Sequence, residues 1–459
     1  SQENSYRSQL VKRAVHMNGV LCVGDWVQEE FLYLCPGADP KRVHTVYNGA
    51  PSRMIDFKEK ELRRALIKEY GRRLFLFTPD IILTHVARLV VSKGFWRDLR
   101  FLYPLDKPED DYLTSMTQEE IDFRVNPKLW PVIKRKGPDG QKHVWAMPYG
   151  GALGKVLLFR KDLFDAKGIR YPTAEWTWED MIAAAKKLTD PAKSIDGMLL
   201  GRGKHESWFW VTFLWSAGGE VMVYNEDKDE WRCTFDGPEA AEALDFYTRL
   251  GAAKWTDAEG KVRRGYSSKD VQDAYQTWDR GQIGMMMSYI NATGFATINP
   301  GVTGMVPLPK WPTGKRGGEL NSRMMSLLSE INDPAVRDAS WEYMRFYEGE
   351  EAVRIKTRIM VEGGLGRFVN PKYLRMFGYP EVERLAPKGW SETFNIAIAT
   401  GRPEPYGRNS NVAYDLMTFP IQKAEQMAIN DQLPADKGER LKVLGKLLKD
   451  GCDRANEEM

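Results

Sequence analysis

Trp176-Thr177-Trp178-Glu179-Asp180-Met181-Ile182-Ala183-Ala184-Ala185-Lys186-Lys187-Leu188 carries the most explicit structural instruction in the chain. Thr177, with Asp180 three positions on, has the form of a capping box, in which each side chain satisfies the other residue's backbone N–H. Behind the cap, Met181, Ala184, Ala185 and Leu188 recur at i, i+3, i+4 and i+7, so one face of a helix is apolar. Residues 155–159 upstream and 283–289 downstream are short apolar runs beside glycine or proline, and read as strands.

The alternation continues outward. Asp236, Pro238 and Glu239 open a helix with Ala241, Leu244 and Tyr247 on one face. Another is expected from Ser267 or Ser268, carrying Val271, Ala274, Tyr275 and Trp278 to a stop at Gly281. Asp333 and Pro334 begin a third, with Val336, Ala339, Tyr343 and Phe346 inward. A last helix from about Glu439 places Leu441, Leu444, Leu448 and Cys452 on one stripe. Residues 324–328 read as a strand, and 134–141 and 310–318 as loops. In the first hundred residues, strands at 19–23 and 74–83 flank a helix-like stretch at 58–70. Strands alternating with helices predict an α/β fold of layered sheets.

A length of 459 residues corresponds to about three domain equivalents. Lys plus Arg number 66 and Asp plus Glu 63, so the net charge of +3 is nearly balanced and excludes a basic nucleic-acid binder. An apolar fraction of 42% is too high for a disordered chain, and no apolar run reaches the ~18 residues that span a bilayer. Fifteen Trp beside 19 Tyr and 19 Phe fit either an aromatic core or a cleft that stacks on sugars. Cys22, Cys35, Cys233 and Cys452 form no C-x-x-C pair and the histidines fall at no zinc spacing, so neither a metal nor a cofactor is expected. The four cysteines are compatible with a reducing or an oxidising compartment. Residue 1 is Ser, which fits a processed chain or a fragment in which a signal peptide is not present. Dinucleotide, Walker, nucleophile-elbow and H-E-x-x-H motifs are missing. Binding without catalysis is the expectation.

Val43-His44-Thr45-Val46-Tyr47-Asn48-Gly49-Ala50-Pro51 and His85-Val86-Ala87-Arg88-Leu89-Val90-Val91-Ser92-Lys93-Gly94-Phe95 resemble parts of a retaining glycosyltransferase with two Rossmann domains. That resemblance covers residues ~5–100 and implies a donor diphosphate held by Arg88 and Lys93. Its donor-binding carboxylate segment and most of its first domain are missing.

Residues 101–459 resemble the extracellular solute-binding proteins that deliver sugars to ABC importers. The carriers are Trp145-Ala146-Met147-Pro148-Tyr149, Phe159-Arg160-Lys161-Asp162-Leu163-Phe164, Trp176-Thr177-Trp178-Glu179-Asp180, Phe213-Leu214-Trp215-Ser216-Ala217-Gly218-Gly219, Trp278-Asp279-Arg280-Gly281-Gln282-Ile283-Gly284-Met285 and Ala339-Ser340-Trp341-Glu342-Tyr343-Met344. The resemblance implies a two-lobed periplasmic-binding-protein-like fold with hinge crossovers near 147–152, near 318–325 and between 385 and 400. Lobe one would take 101–149 and 322–390, lobe two 150–321 and 391–459, with residues 1–100 leaving the first lobe atypical or incomplete. It also implies a ligand site of Glu206, Trp208, Trp210, Tyr149, Ser288, Tyr289, Asn291, Glu319, Asn321 and Arg323, with Trp208 and Glu206 as its central pair. Trp210 and Trp215 could equally be core, and Arg323 a structural ion pair. On this reading the chain is an extracytoplasmic monomer, periplasmic or lipid-anchored, that captures a sugar or oligosaccharide for a membrane permease. The alternatives are a glycosyltransferase using a nucleotide sugar and a nonfunctional chimera of two fragments.

Overall fold

The computed structural model describes residues 20–23, 41, 43–46, 110–137, 139–201, 206–225, 230–268, 274–289, 299, 301–327, 331–385, 389–406 and 410–459. These belong to two units. In the first, β1 (Val20–Val23) runs parallel to β2 (Val43–Val46), with Val20 opposite Val43 and Val23 opposite Val46. The strand expected at 19–23 is therefore present, and its partner begins the first glycosyltransferase-like motif. The expected helix at 58–70, the strand at 74–83, and Arg88 and Lys93 lie outside the described residues.

The second unit contains, in chain order, α1 (Gln118–Arg124), β3 (Met147–Arg160), α2 (Trp178–Leu188), β4 (Asp196–Leu199), α3 (Glu206–Ala217), α4 (Pro238–Ala252), β5 (Ser267–Ser268), β6 (Ile283–Tyr289), β7 (Thr303–Pro307) and β8 (Leu320–Met325). After α5 (Pro334–Tyr347), which begins within the first unit, follow α6 (Trp390–Thr400), α7 (Ser410–Ile429) and α8 (Lys437–Glu458). The capping box on α2 forms as expected, Asp180 N–H donating to Thr177 Oγ1 and Thr177 N–H to Asp180 Oδ2. Asp436 caps α8, whose Leu444, Leu448 and Cys452 are buried.

The main sheet has the order β5-β4-β6-β3-β7, and β8 pairs with the other half of β3. Val156 to Phe159 is continuously apolar because this part of β3 is covered on both faces, as a central strand requires. Leu157 and Phe159 enter the largest core with α2, α3 and α4, whereas Val156 and Leu158 join a second with Trp390 and Phe394 of α6. A third apolar cluster gathers Val125, Ile133, Val144, Met147, Leu327, Trp341 and Met344.

β3 links these regions. Its last residues pair with β6 and β7, while its first half pairs antiparallel with β8, placing Leu320 opposite Gly154, Arg323 opposite Tyr149 and Met325 opposite Met147. The first two expected crossovers are thus hydrogen-bonded neighbours running between the third cluster and the sheet. The third differs from expectation: residues 390–400 are helical, and the segment alongside is Gly401-Arg402, with Leu320 N–H donating to Arg402 O at 2.6 Å and Arg402 N–H to Gly318 O at 2.9 Å.

Three local expectations are corrected. Ser267–Ser268 is an edge strand parallel to β4, and the helix after it spans Ala274–Asp279. Part of 134–141 is a hairpin strand, Lys134–Lys136, paired with Lys142–Val144. On α5, Trp341 and Met344 are buried while Tyr343 and Phe346 are exposed, because burying the large indole fixes a different face of the helix from the expected stripe. No helix among the described residues is long and apolar enough to cross a membrane.

Close helix-to-strand approach depends on Gly197, where an added Cβ would lie 2.2 Å from the backbone oxygen of Ala185 on α2. Gly445 in α8 is the opposite case, since its Cβ would meet only Ala241 Cβ at 3.9 Å. Gly197→Ala should destabilise by about 1–3 kcal/mol through overpacking. Gly445→Ala should stabilise by about 0.5–1 kcal/mol through helix propensity. Chemical denaturation of the two variants checks the opposite signs.

Candidate functional site

Lys155 stands where the hinge half of β3 gives way to the apolar run, and Tyr289 at the end of β6 lies directly opposite it. Side chains opposite one another in an antiparallel pair share a face. Lys155 Nζ donates to Glu319 Oε2 at 3.0 Å and to Thr212 Oγ1 of α3 at 3.1 Å. The hydroxyl of Tyr289 also donates to Glu319 Oε2. Glu319 is held at the entry to β8 by Lys155 N–H, which donates to its carbonyl at 3.2 Å. The Lys155 and Glu319 side chains retain only 2% and 0% of their exposure.

Three rings surround the ammonium, with centroids 4.9 Å (Trp208), 5.6 Å (Phe209) and 5.7 Å (Tyr289) from Nζ. Trp208 and Thr212 are four residues apart on α3, so one helix face supplies both. Trp208 remains half-buried, its ring 5.7 Å from that of Tyr289 at a 36° tilt. Its indole N–H donates to Glu404 Oε1 at 2.6 Å.

The second carboxyl changes the charge balance. Burial, followed by the charge of Glu319, pushes Glu404 up to about 8, while the Trp208 N–H acts in the other direction. Burial and the charges of Glu319 and Glu404 likewise hold Tyr289 well above the ordinary phenol range. At neutral pH, Glu404 and Tyr289 are therefore neutral. The Glu319 carboxyl also acts on Glu404 by hydrogen bonding, which raises it further.

The residues expected at the site separate into groups. Trp208, Tyr289 and Glu319 converge, and Asn321 joins them by a hydrogen bond to Tyr289. Tyr149 and Arg323, which hydrogen-bond to each other, lie farther along the strand pair beside Tyr347. Six residues of strand separate Tyr149 from Lys155, a span of about 20 Å.

Other expectations fail for geometric reasons. Glu206 and Trp208 do not form a pair, because at ~100° per residue they point to different sides of α3. Glu206 instead lies inside, where its charge with that of Glu425 raises the Tyr247 hydroxyl beyond the effect of burial. Trp210 is fully buried in the largest core, as is most of Trp215. Ser288 pairs with Val156 and so faces away from Tyr289 and Lys155. Asn291 lies outside the described residues.

Lys155 and Glu404 were missed by sequence reasoning. A charged residue heading an otherwise apolar strand was the available signal for Lys155. Glu404, between Pro403 and Pro405, reads only as loop. Among the described residues, no group of three or more His, Cys, Asp or Glu is placed to hold a metal.

Comparison with known proteins matches residues 111–354 to the family model for bacterial extracellular solute-binding proteins. The match begins beyond the glycosyltransferase-like stretch and gives a diphosphate role for Arg88 and Lys93 no support. A Brucella abortus (strain 2308) protein named as a binding protein is 25% identical over 274 residues, 55% of this chain and 62% of that protein. The chain thus spans less than two thirds of the curated relatives it matches. Maltose-bound MalE3 of T. maritima superposes with a TM-score of 0.56 at 18% identity, covering 86% of this chain and 96% of that one. A solute-binding protein of Thermotoga lettingae with bound α-D-tagatose gives 0.56 at 16% identity, with 98% and 97% coverage. One from Agrobacterium vitis with bound D-mannitol gives 0.53 at 19%, with 95% and 98% coverage. These similarities establish the two-lobed solute-binding fold, and with more than half its length matched by the family model, the chain belongs to the bacterial extracellular solute-binding proteins.

Proposed function

We propose that the chain is the carbohydrate-binding subunit of an ABC importer, capturing a sugar or oligosaccharide between its lobes and releasing it unchanged. The supporting observation is the half-buried Trp208 and its neighbour Tyr289 beside the polar groups of Lys155, Glu319, Asn321 and Glu404. Sugars present apolar C–H faces and a rim of hydroxyls, and an aromatic platform with donors and acceptors at its edge suits both. In lobe terms, the cluster around Met147 and Trp341 falls within residues 101–149 and 322–390 and the largest core within 150–321 and 391–459, while the second core draws Phe368 and Trp390 from 322–390 and its other members from 150–321 and 391–459. The family and the sugar or sugar-alcohol ligands of similar solved structures support the same reading. Partnership with a membrane permease, an extracytoplasmic location and a monomeric state complete the proposal.

Capture without turnover also fits the carboxyl geometry. Glycoside hydrolysis needs two carboxyls about 5–9.5 Å apart, with the sugar bond and sometimes a water between them. Glu319 and Glu404 instead lie close enough for Glu319 to act on Glu404 through both charge and hydrogen bonding. Such a pair can receive hydroxyl groups at its edge. It cannot bracket a glycosidic bond.

A calorimetric panel of maltose, maltotriose, D-tagatose, D-mannitol and ribitol tests the reading, with at least one expected to bind and raise the melting temperature. Trp208→Ala should weaken that binding by about thirtyfold or more, the scale of a well-packed tryptophan anchor. Trp208→Phe, which keeps a ring and loses the indole donor to Glu404, should lose less. A wild-type protein that ignores every sugar in an extended panel sinks the proposal.

A second expectation concerns pH. The folded pKa of Glu404, about 8, exceeds the ordinary 4.5, so the native state binds the extra proton between those values. The associated stability is fully present below about 4.5 and is lost as pH rises through about 8. Melting temperatures from pH 5 to 9 should therefore fall more steeply in the wild type than in Glu404→Gln, which keeps a neutral side chain throughout. Parallel curves would show that Glu404 does not hold the proton.

A further inference from the structure

Two cations extend from the apolar cluster of Val125, Ile133, Val144 and Met147 to the end of α6 and the loop beyond it. Lys128, in the short 3-10 turn Pro127–Leu129, donates from Nζ to the carbonyls of Ile398 at 3.1 Å, Ala399 at 2.5 Å and Gly401 at 2.7 Å. Carbonyls at a helix C-terminus lack partners within the helix and form the negative end of its dipole, so an ammonium there is well placed. Arg135, in the hairpin strand Lys134–Lys136, sets its guanidinium 4.3 Å from the centroid of the Tyr406 ring. Tyr406 packs edge-on against Trp231, with centroids 4.9 Å apart at 85°.

The targets belong to the other side of the hinge. α6 packs against Val156, Leu158 and Met305 of the sheet through Trp390, Phe394 and Ala397. Between the two anchor points runs Arg402-Pro403-Glu404-Pro405, which carries the carboxyl bonded to Trp208. Arg402 is held in turn by Glu220 at 2.5 Å. Both cationic contacts therefore bear on the segment that delivers Glu404, and they connect regions whose apolar cores are separate.

We propose that Lys128 and Arg135 form a clasp that favours the closed arrangement of the two lobes before any ligand arrives, and act as positioning residues for Glu404. The proposal rests on the lobe assignment given under Proposed function. β3, β8 and Gly401-Arg402 link the lobes as narrow strands, so side chains that brace the third of these, Lys128 at Gly401 and Arg135 at Tyr406, bear on the balance between open and closed forms. Ligand affinity scales with the fraction of molecules already competent to bind, and removing the clasp lowers that fraction. Loss of a cation–π contact and of charged hydrogen bonds should weaken apparent sugar affinity by about tenfold.

Small-angle X-ray scattering of ligand-free protein provides the test. The double variant Lys128→Ala/Arg135→Ala should have a larger radius of gyration than the wild type. Arg135→Lys, which keeps the charge but loses the planar guanidinium over Tyr406, should fall between them. An unchanged radius in a folded double variant overturns the clasp, whether or not its melting temperature drops, because the contacts would then be only local. Should the double variant fail to fold, Arg135→Lys decides by the same criterion: an increase supports the clasp and no increase overturns it. No ligand enters the measurement, so failure of the sugar reading leaves this result interpretable.

Discussion

A buried charge is tolerable only when its partner and hydrogen bonds replace the water it has lost, and the pair of Lys155 and Glu319 meets that condition. Lys155 has Glu319 and Thr212 as acceptors and three aromatic faces around it, and Glu319 receives donors from Lys155 and Tyr289. The pair joins β3, α3, β6 and the entry to β8 at one point. Taking away one partner leaves a buried ion, and such losses cost about 3–5 kcal/mol. The location matters as much as the energy. Here the strand leaves its hinge partner β8 and enters the apolar sheet, so the same interaction that orders the polar site fixes where the crossover ends.

The neighbouring groups follow from this pair. Burial, followed by the neighbouring Glu319, makes ionisation of Glu404 unfavourable, and Glu404 keeps its proton. A neutral Glu404 accepts from Trp208 and interacts with Glu319, which connects the aromatic platform to the charge pair. Trp208 is thereby held half-exposed, in a position where burial alone would draw an indole inward, as happened to Trp210 two residues away.

Local pattern made much of the fold readable. α2 and α8 have a side-chain cap and an apolar stripe that agree, and both form where expected. α5 has a start signal, but the face carrying Trp341 and Met344 is buried in place of the expected Tyr343 and Phe346, because it buries the large indole. The site was less readable because its bonds are long-range: Lys155 and Glu319 are 164 residues apart, Trp208 and Glu404 are 196 apart, and no periodicity links them. Tyr289, Glu319, Asn321 and Trp208 were suggested by family resemblance and then met in space. Glu206 falls outside the group because a helix turns alternate neighbours to opposite sides, so a consecutive run on α3 does not share one face. Lys155 carries little distinguishing sequence signal, since lysine at the head of a strand ordinarily marks the solvent end. Glu404 sits between prolines that indicate a loop and say nothing of burial.

The balance of charge also bears on ligand type. A buried Lys155–Glu319 ion pair, a neutral carboxyl and a neutral phenol line the candidate site. An anionic solute would face Glu319, and a cationic one would displace Lys155 from its partners, leaving a charge buried without compensation in either case. A neutral solute with many hydroxyls can exchange hydrogen bonds with Glu404, Asn321 and the Trp208 N–H while its C–H faces lie on the rings, and it leaves the central pair undisturbed. On the proposed function, the electrostatics that permit Lys155 and Glu319 inside the protein would also favour polyols over charged metabolites. That selectivity would require no recognition device beyond the interaction that holds the crossover in place.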